Sequence, residues 1–369
     1  MKIIFIGFDI NGNGGISTYS RYQIRALRES NNNVIVQSLN SFEIVNDIKI
    51  NYNYNYKSKL ILIKVLIDII FNIKNTDLII FNHVNISFLG AIINFIFGVK
   101  YIIFGYNVDV LKKLRWLSNM GFVKAESIVI DCQYTINRLA QFHKKIPKTH
   151  LLYDPVDTDF YRIIDKKIAR EKISKRHSLK LKDKFIICTV ALMRLSANKG
   201  HRQIIDSMKL LKNKNLLYFI LSDGKDKKNL EEYVKINKLE NQVIFFGFVD
   251  YDFLPYFYSS SDIAALISND DEGKGEGVPL GLIEASSCGT PILCGNKDGS
   301  LEAISKEING YALEPGNTQE IAEKINHYFT NKSLLKAHGS NGRSFIVQNF
   351  GFRNFRKIQN SIISDTLSK

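Results

Sequence analysis

The sequence predicts an α/β protein made of two doubly wound domains, and three observations lead to this fold class. Short apolar runs alternate with helical patterns, which is typical of parallel sheets covered by helices on both faces. The alternation weakens once, over the charged stretch 159–184, and then restarts. The 369 residues suffice for two domains of ordinary size. We therefore expect two Rossmann-like domains that face a cleft.

Each expected domain has its own series of strands. In the first, the predicted strands are Lys2–Phe8, Asn33–Ser38, Asp77–Asn82, Lys100–Phe104 and Ser127–Ile130. In the second, they are Phe185–Leu192, Leu216–Leu221, Val243–Phe246, Ile263–Ile267 and Pro291–Leu293. Helical patterns follow the first strand of each domain, and a separate one covers Phe350–Leu367. We expect domains at 1–177 and 178–348, and a C-terminal helix at 349–369.

Composition excludes some classes of protein. The four cysteines have neither CxxC nor Cys/His spacing, which argues against a zinc site and a disulfide framework and favours the cytoplasm. No apolar run reaches the length of a membrane-spanning helix. The two nearest, 59–73 and 86–97, indicate helices packed on a sheet or, alternatively, a face that dips into a membrane interface.

The charge is unevenly distributed. The net charge is +14, and residues 1–177 alone carry 25 Lys and Arg against 14 Asp and Glu. A basic first half favours an anionic partner, such as the anionic inner leaflet of a membrane, unless an AT-rich genome has inflated the lysine content. The lysines are dispersed without interleaved stacking aromatics, which argues against nucleic acid.

Two carboxylates stand eight positions apart in the segment 276–285. Glu276 lies on a Gly/Pro turn, and Glu284 lies about one turn into an apolar helix. A helix that opens after a loop of small residues offers free backbone N–H groups to a phosphate. Carboxylates beside a phosphate are suited to accept hydrogen bonds from the hydroxyls of a sugar or a ribose. The segment predicts an enzyme that handles a nucleotide-activated sugar.

Two other loops are candidates for ligand binding, and one follows the first predicted strand of each domain. In the first, Gly14 and Gly15 allow the backbone to approach a ligand closely, although a plain tight turn gives the same pattern. In the second, Arg194 and Lys199 could neutralise a departing pyrophosphate, or could be solvated surface residues.

Taken in order, these motifs resemble the retaining glycosyltransferases of family 4, which have the GT-B fold. The matching motifs are Gly14-Gly15, Asp154-Pro155-Val156-Asp157…Phe160, Arg194…Lys199-Gly200, Ser222-Asp223-Gly224, Phe246-Gly247-Phe248-Val249, Glu276…Glu284-Ala285, Cys288-Gly289-Thr290-Pro291 and Asn309-Gly310-Tyr311. The resemblance covers nearly the full chain. It implies that the first domain binds the acceptor, that the second binds the donor, and that the C-terminal helix packs back on the first.

The resemblance also implies roles for the matched residues. Arg194 and Lys199 would hold the donor diphosphate in place of a metal, Glu276 would bind the donor sugar, and Glu284 would bind the ribose. The other donor-binding residues would be Gly14, Gly15, Gly224, Phe248, Val278, Pro279 and Leu280. No metal or other cofactor is expected, since the nucleotide-diphosphate sugar is a co-substrate.

One stretch departs from the family. Phe104 and Asn107 stand where many relatives have the His and Glu of His-Gly-x-Glu. His83, after the preceding strand, is either the histidine near the reacting centre or a structural hydrogen-bonding group.

We expect a transferase that moves a hexose or N-acetylhexosamine, with UDP as carrier, to a glycan or lipid-linked acceptor of a bacterial capsule, O-antigen or lipooligosaccharide. It would act in the cytoplasm, with peripheral contact to the inner membrane. The alternatives are a nucleotide-sugar epimerase of the same fold and a catalytically impaired paralogue that binds a nucleotide sugar.

Overall fold

The structure, a computed structural model, describes residues 1–8, 10–12, 14–39, 48–55, 60–193, 199–211, 213–270, 275–305 and 308–368. The chain forms two compact units. Unit 1 consists of Met1–Pro155 and Phe352–Lys369, and unit 2 consists of Val156–Gly351. The chain therefore leaves unit 1, builds unit 2 and returns to unit 1.

Unit 1 contains a parallel sheet of seven strands in the order β3-β2-β1-β4-β5-β6-β7. The strands are β1 (Lys2–Phe8), β2 (Asn33–Leu39), β3 (Tyr52–Tyr54), β4 (Leu78–Phe81), β5 (Lys100–Gly105), β6 (Ser127–Ile130) and β7 (Lys148–Leu151). Strand β4 is wholly apolar and buried, and β1, β5 and β6 are mostly so, as expected of strands covered on both faces.

Helices cover both faces of this sheet. They are α1 (Gly15–Glu29), α2 (Ile61–Asn72), α3 (Phe88–Phe97), α4 (Asn107–Val110), α5 (Trp116–Lys124), α6 (Gln133–Phe142) and the C-terminal α14 (Phe352–Leu367). Alternate side chains of β1 point to opposite faces. Ile3 and Phe5 pack in one core cluster with α1 and α14, whereas Ile4 and Ile6 pack in another with α2, α3, α5 and α6.

Unit 2 contains a parallel sheet of six strands in the order β10-β9-β8-β11-β12-β13. The strands are β8 (Phe185–Val190), β9 (Leu216–Leu221), β10 (Val243–Gly247), β11 (Ile263–Leu266), β12 (Ile292–Gly295) and β13 (Gly310–Leu313). The helices are α7 (Lys166–His177), α8 (His201–Leu211), α9 (Lys227–Ile236), α10 (Leu254–Ser260), α11 (Leu280–Ser287), α12 (Thr318–Thr330) and α13 (Lys332–Asn349).

The division between the units lies earlier in the chain than the boundary expected at 177. Helix α7 packs against α10 of unit 2. On α7, Arg170 donates hydrogen bonds to the Ser260 carbonyl and the Asp262 carboxylate. The charged composition that suggested a linker belongs to a helix with one exposed face.

Both sheets have a topological switch point, where the order of strands along the sheet reverses. In unit 1 it lies between β1 and β4, and in unit 2 between β8 and β11. Ligands of such sheets bind outside the carboxyl ends of the strands at the switch point. A ligand-binding site is therefore expected in the loops that follow these four strands.

Candidate active site

The switch point of unit 2 is formed by the loops that follow β8 and β11. The β8 loop carries Lys199 and leads into α8, and the β11 loop carries Glu276 and leads into α11. Arg194 lies outside the described residues. Two of the residues predicted from the sequence thus meet at one edge of the sheet.

Lys199 and Glu276 form an ion pair across the switch point, between Nζ and Oε1. Their side chains are 16% and 23% exposed, respectively. A pair shielded to this extent is screened less than a surface pair. Since an ammonium has three donors and a carboxylate has two acceptor oxygens, each partner can bind a further group while the pair persists.

Asp298, after β12, fixes the backbone of Glu276. The N–H of Glu276 donates to Asp298 Oδ2 at 2.8 Å, and its carbonyl accepts from the N–H of Gly299 at 3.0 Å. Asp298 is buried. Burial raises the pKa of this carboxyl group, against hydrogen bonds from Ser268 and Ser300 and the charge of Lys199. Sequence reasoning did not find Asp298, although an Asp after a buried strand was a usable signal.

Gly224 holds the start of the β8 loop. The N–H of Met193 donates to the carbonyl of Asp223 at 3.1 Å. A Cβ at Gly224 would lie 2.1 Å from the carbonyl oxygen of Met193. Only glycine permits this approach, so Gly224 positions the loop that carries Arg194 and Lys199.

The first turn of α11 packs directly against the end of β8. A Cβ at Gly281 would lie 2.9 Å from the carbonyl oxygen of Val190. Val278 and Pro279 are buried just before the helix, and Leu280 is its first residue. The first backbone N–H groups of a helix have no partner within it. Those of α11 open at the same edge as Lys199, which suits an anion.

Glu284 lies on α11, one turn after Leu280. Tyr258, on α10, donates a hydrogen bond to Glu284 Oε2 at 2.7 Å. Burial raises the pKa of Glu284, while the hydrogen bond from Tyr258 acts in the opposite direction. Tyr258 was not found from the sequence, because nothing in the spacing ties it to Glu284.

Phe248 lies at the carboxyl end of the outer strand β10. Gly247 before it has a left-handed backbone with φ +68°, and the Phe248 side chain is 76% exposed. An exposed aromatic ring at this edge offers a stacking surface for a planar group.

The switch point of unit 1 brings together the glycine loop and His83. Gly14 caps α1 and, like Gly15, is exposed; a Cβ at Gly14 would meet nothing within 4 Å. Arg21 holds this loop, since its guanidinium donates to the carbonyls of Ile10 and Gly12. Sequence reasoning passed over Arg21.

The tautomer of His83 follows from its contacts. The backbone N–H of Asn85 donates to His83 Nδ1 at 3.1 Å. In the neutral ring, the proton therefore resides on Nε2, and His83 presents an N–H donor rather than a basic lone pair. Burial, together with Lys112, lowers the pKa of His83 to about 4.

Asp109, on the one-turn helix α4, supports His83. Its Oδ1 accepts from the N–H of Tyr106 at 2.7 Å, and its Oδ2 lies 3.4 Å from His83 Nδ1. Burial raises the pKa of Asp109 to about 7.

The residues at the family's His and Glu positions are enclosed. Phe104 is 1% exposed and packs edge to face on Tyr19, with ring centroids 5.9 Å apart. Asn107 is the buried first residue of α4. Phe104 therefore belongs to the core. Over the described ranges, no group of three or more His, Cys, Asp or Glu side chains could hold a metal ion.

Comparison with known proteins adds sequence relatives. Residues 169–345 match the family model described as Glycosyl transferases group 1. The chain is 30% identical to an uncharacterized glycosyltransferase, MJ1069, of Methanocaldococcus jannaschii, over 57% of this chain and 54% of that one. It is 24% identical to the capsular polysaccharide biosynthesis glycosyltransferase CapM of Staphylococcus aureus, over 50% and 47%. The chain spans about half the length of the curated relatives it matches.

Among solved structures, the chain is similar to Anabaena Alr3699/HepE in complex with UDP. The TM-score is 0.78 over 99% of this chain and all of that one, at 18% sequence identity. At this identity the likeness establishes the fold. Residues 169–345 therefore belong by sequence to the glycosyl transferases group 1 family, and the chain has the GT-B fold.

Proposed function

We propose that this protein is a retaining glycosyltransferase that moves a hexose or N-acetylhexosamine from a nucleotide-diphosphate sugar to an acceptor hydroxyl. The observation that carries this proposal is the Lys199–Glu276 pair beside the first turn of α11. A cation and free helix N–H groups suit a diphosphate, and a carboxylate suits sugar hydroxyls. Arg194 would join Lys199 in the role that a metal ion has elsewhere.

UDP is the proposed nucleotide. Two solved structures of the Anabaena relative contain UDP and UDP-glucose, respectively. In this chain, Glu284 would accept hydrogen bonds from the ribose, and Phe248 would stack on the base. Gly14 and Gly15 would approach the diphosphate, which their exposure and the open space at Gly14 support.

In the proposed step, the acceptor oxygen forms a bond to the anomeric carbon on the face that the leaving group vacates. The bond from that carbon to the phosphate oxygen breaks, and its electron pair leaves with the nucleotide diphosphate. The departing phosphate takes the proton of the acceptor hydroxyl. Lys199 would stabilise the charge that develops on the phosphate.

His83 fits this step as a hydrogen-bond donor. Its Nδ1 accepts from Asn85, so the neutral ring has no basic lone pair to offer at Nε2. We propose that Nε2–H donates to an oxygen of the reacting sugar or phosphate. A reaction whose leaving group removes the proton needs no protein base at this position.

The proposed acceptor is a glycan or a lipid-linked sugar used in bacterial surface polysaccharide synthesis. The match to a capsular glycosyltransferase supports this class of acceptor. We propose that the reaction takes place in the cytoplasm, which suits four buried cysteines present as free thiols.

A second candidate is a catalytically impaired paralogue that binds a nucleotide sugar without transferring it. The enclosed Phe104 favours it, since the core position of this ring cannot supply the function of a histidine. The two candidates agree on donor binding and differ in turnover.

The test begins with thermal stabilisation by UDP-, GDP- and ADP-sugars, because a ligand that binds the folded state raises the melting temperature. Transfer of the stabilising sugar to a panel of glycan and lipid-linked acceptors is then measured. Lys199→Ala and Glu276→Ala should each lower kcat/KM by about 10²- to 10³-fold, as loss of a group that stabilises transition-state charge does.

Lys209→Ala is the matched control, since Lys209 pairs with Asp206 on the surface of α8 and should leave kcat/KM unchanged. Full activity in both site variants would disprove the assignment. Donor binding without turnover on any acceptor would support the impaired paralogue. A changed sugar released without acceptor would indicate an epimerase.

A further inference from the structure

The outer surface of one helical layer of unit 1 is unusually apolar. The buried side chains of α2, α3 and α5 belong to one core cluster, so these helices cover the same face of the sheet. On the opposite face, α14 covers α1. The outward side chains of α2 and α3 are exposed over the described residues.

Helix α2 is apolar on both its inner and its outer side. Val65 and Ile69 point into the core, while Ile63, Ile67 and Phe71 lie on the exposed side. A helix with apolar residues on both sides is normally buried between two layers. Phe71 is nonetheless 81% exposed. The sequence of α2 is therefore suited to an apolar environment that the described part of the chain does not supply.

The last turn of α3 and the start of α5 extend this surface. At the end of α3, Phe95 is 85% exposed, and Ile96 and Phe97 beside it are also exposed. At the start of α5, Trp116 is 77% exposed, and Leu117 follows it. We call the exposed apolar side chains of α2, α3 and the start of α5 the apolar face. Exposed apolar side chains grouped on one helical layer commonly mark an interaction site.

The charges around the apolar face are mainly positive. Between residues 60 and 124 the chain has seven Lys and Arg against three Asp and no Glu. Of these three, Asp109 is buried, and Asp68 accepts a hydrogen bond from the hydroxyl of Tyr54 at 2.5 Å. Lys113 and Arg115 are exposed beside Trp116. A partner of negative charge and apolar interior would match this arrangement.

We propose that the apolar face docks on an anionic lipid bilayer. Exposed Phe, Trp and Ile would enter the boundary between headgroups and acyl chains, and the basic residues would pair with anionic headgroups. Helix α2 has 12 residues, about 18 Å at 1.5 Å per residue, against a hydrocarbon core of about 30 Å. Contact along the surface is therefore the geometry that suits it, and no helix in the described part of the chain is long and apolar enough to span.

A second copy of the chain fits the apolar face less well. A two-fold dimer brings the same patch of each copy together. The basic residues of both copies would then share one interface, and the described acidic residues of this region are already engaged or buried. An anionic lipid surface satisfies both the apolar and the charged side chains.

Docking by this face would bring Trp116 near the headgroups and, with it, the carboxyl edge of the sheet. Phe71 and Phe95, near the ends of α2 and α3, lie towards the opposite edge. Helices α2 and α3 each begin at the carboxyl edge of the parallel sheet, where Gly14 and His83 lie. Trp116, at the start of α5, lies at the same edge. A hydroxyl carried by a membrane lipid would reach this edge without leaving the bilayer surface.

The test is sedimentation of the full chain with vesicles, in the absence of nucleotide sugar, so that its outcome is independent of the transfer reaction. Vesicles of equal parts phosphatidylcholine and phosphatidylglycerol are compared with pure phosphatidylcholine. The wild type should bind the anionic vesicles, with an affinity that falls as salt is added. The double substitution Phe71→Ser and Phe95→Ser should lower the partition coefficient by about 10-fold or more, because two exposed rings lose their burial in lipid.

The matched control is Ile236→Ser with Ile168→Ser, two exposed apolar residues of unit 2, which should leave binding unchanged. Lys113→Gln with Arg115→Gln provides a second variant that keeps every apolar contact. It should weaken anionic binding by about 5-fold per cation and leave neutral vesicles unaffected.

Equal binding of neutral and anionic vesicles, or unchanged binding of both double variants, would overturn the proposal. So would a dimer in sedimentation velocity that Phe71→Ser and Phe95→Ser dissociate, because the face would then belong to a second copy.

Discussion

The two switch points are held together in different ways. In unit 2, the loops meet through close backbone contacts at Gly224 and Gly281 and through the Lys199–Glu276 pair. In unit 1, the glycine loop has open space at Gly14, and the contacts around His83 come from the side chains of Phe8 on β1 and Asp109 on α4. The edge of unit 2 is thus fixed by close contacts, whereas the edge of unit 1 has open space. The proposed function assigns the first to the charged donor and the second to the acceptor.

A pair of glycine substitutions tests this difference most severely. Gly224→Ala places a Cβ 2.1 Å from a backbone oxygen, and we expect it to lower the free energy of unfolding by about 1–3 kcal/mol. Gly14→Ala meets nothing within 4 Å at a φ of −83°, and should cost less than about 1 kcal/mol, as a helix-cap change does. Urea denaturation measures both, and equal losses would refute the comparison.

The pH dependence of stability probes the unit 1 edge. Asp109 has a folded pKa of about 7, above its ordinary 3.8, so its contribution to stability falls as pH rises between these values. His83 has a folded pKa of about 4, below its ordinary 6.5, so its contribution rises with pH over that interval. In the wild type these two effects oppose each other.

Substitution of either Asp109 or His83 should reveal the effect of the other residue on the pH dependence of stability. Relative to the wild type, Asp109→Asn should make stability rise more steeply from about pH 4 to 6.5, and His83→Gln should make it fall, each by up to about 1.4 kcal/mol per pH unit. Urea denaturation at several pH values measures these slopes. Changes of the same sign in the two variants would contradict the paired arrangement.

A smaller loss of stability is expected from removal of a single side-chain hydrogen bond in unit 2. Tyr258→Phe removes the hydrogen bond to Glu284, which should cost about 1.5 kcal/mol and raise the KM for the donor. Tyr233→Phe is the matched control, since Tyr233 donates to Asp206 at 2.6 Å away from the candidate site. An equal rise in the KM for the donor in both variants would show that Glu284 has no specific role in donor binding.

The sequence was sufficient for the fold class and for the region of the donor site. The apolar strand patterns and the spacing of Glu276 and Glu284 are both local features, which can be recognised in the sequence without knowledge of the fold. The ion pair of Glu276 with Lys199 was not predictable, because it joins loops 77 positions apart whose geometry depends on glycine contacts. Asp109 was missed because a one-turn helix leaves no periodic pattern.

The boundary between the units was expected too late for a similar reason. The low apolar content of α7 resembles that of a linker, since only Ala169 and Ile173 are buried in it. What assigns α7 to unit 2 is contact with α10, from about 80 to 90 positions further along the chain. Such long-range packing has no local signature.

Helix α14 has a consequence for the order of events during synthesis. Gln359 on α14 donates to the carbonyl of Gln23 on α1, and Arg356 pairs with Glu29. Because unit 2 is inserted between the two parts of unit 1, a chain emerging from the ribosome has all of unit 2 available before unit 1 receives α14. The apolar side of α1 that α14 covers would stay exposed throughout that interval, which makes unit 1 the part of the nascent chain that a chaperone has most reason to bind.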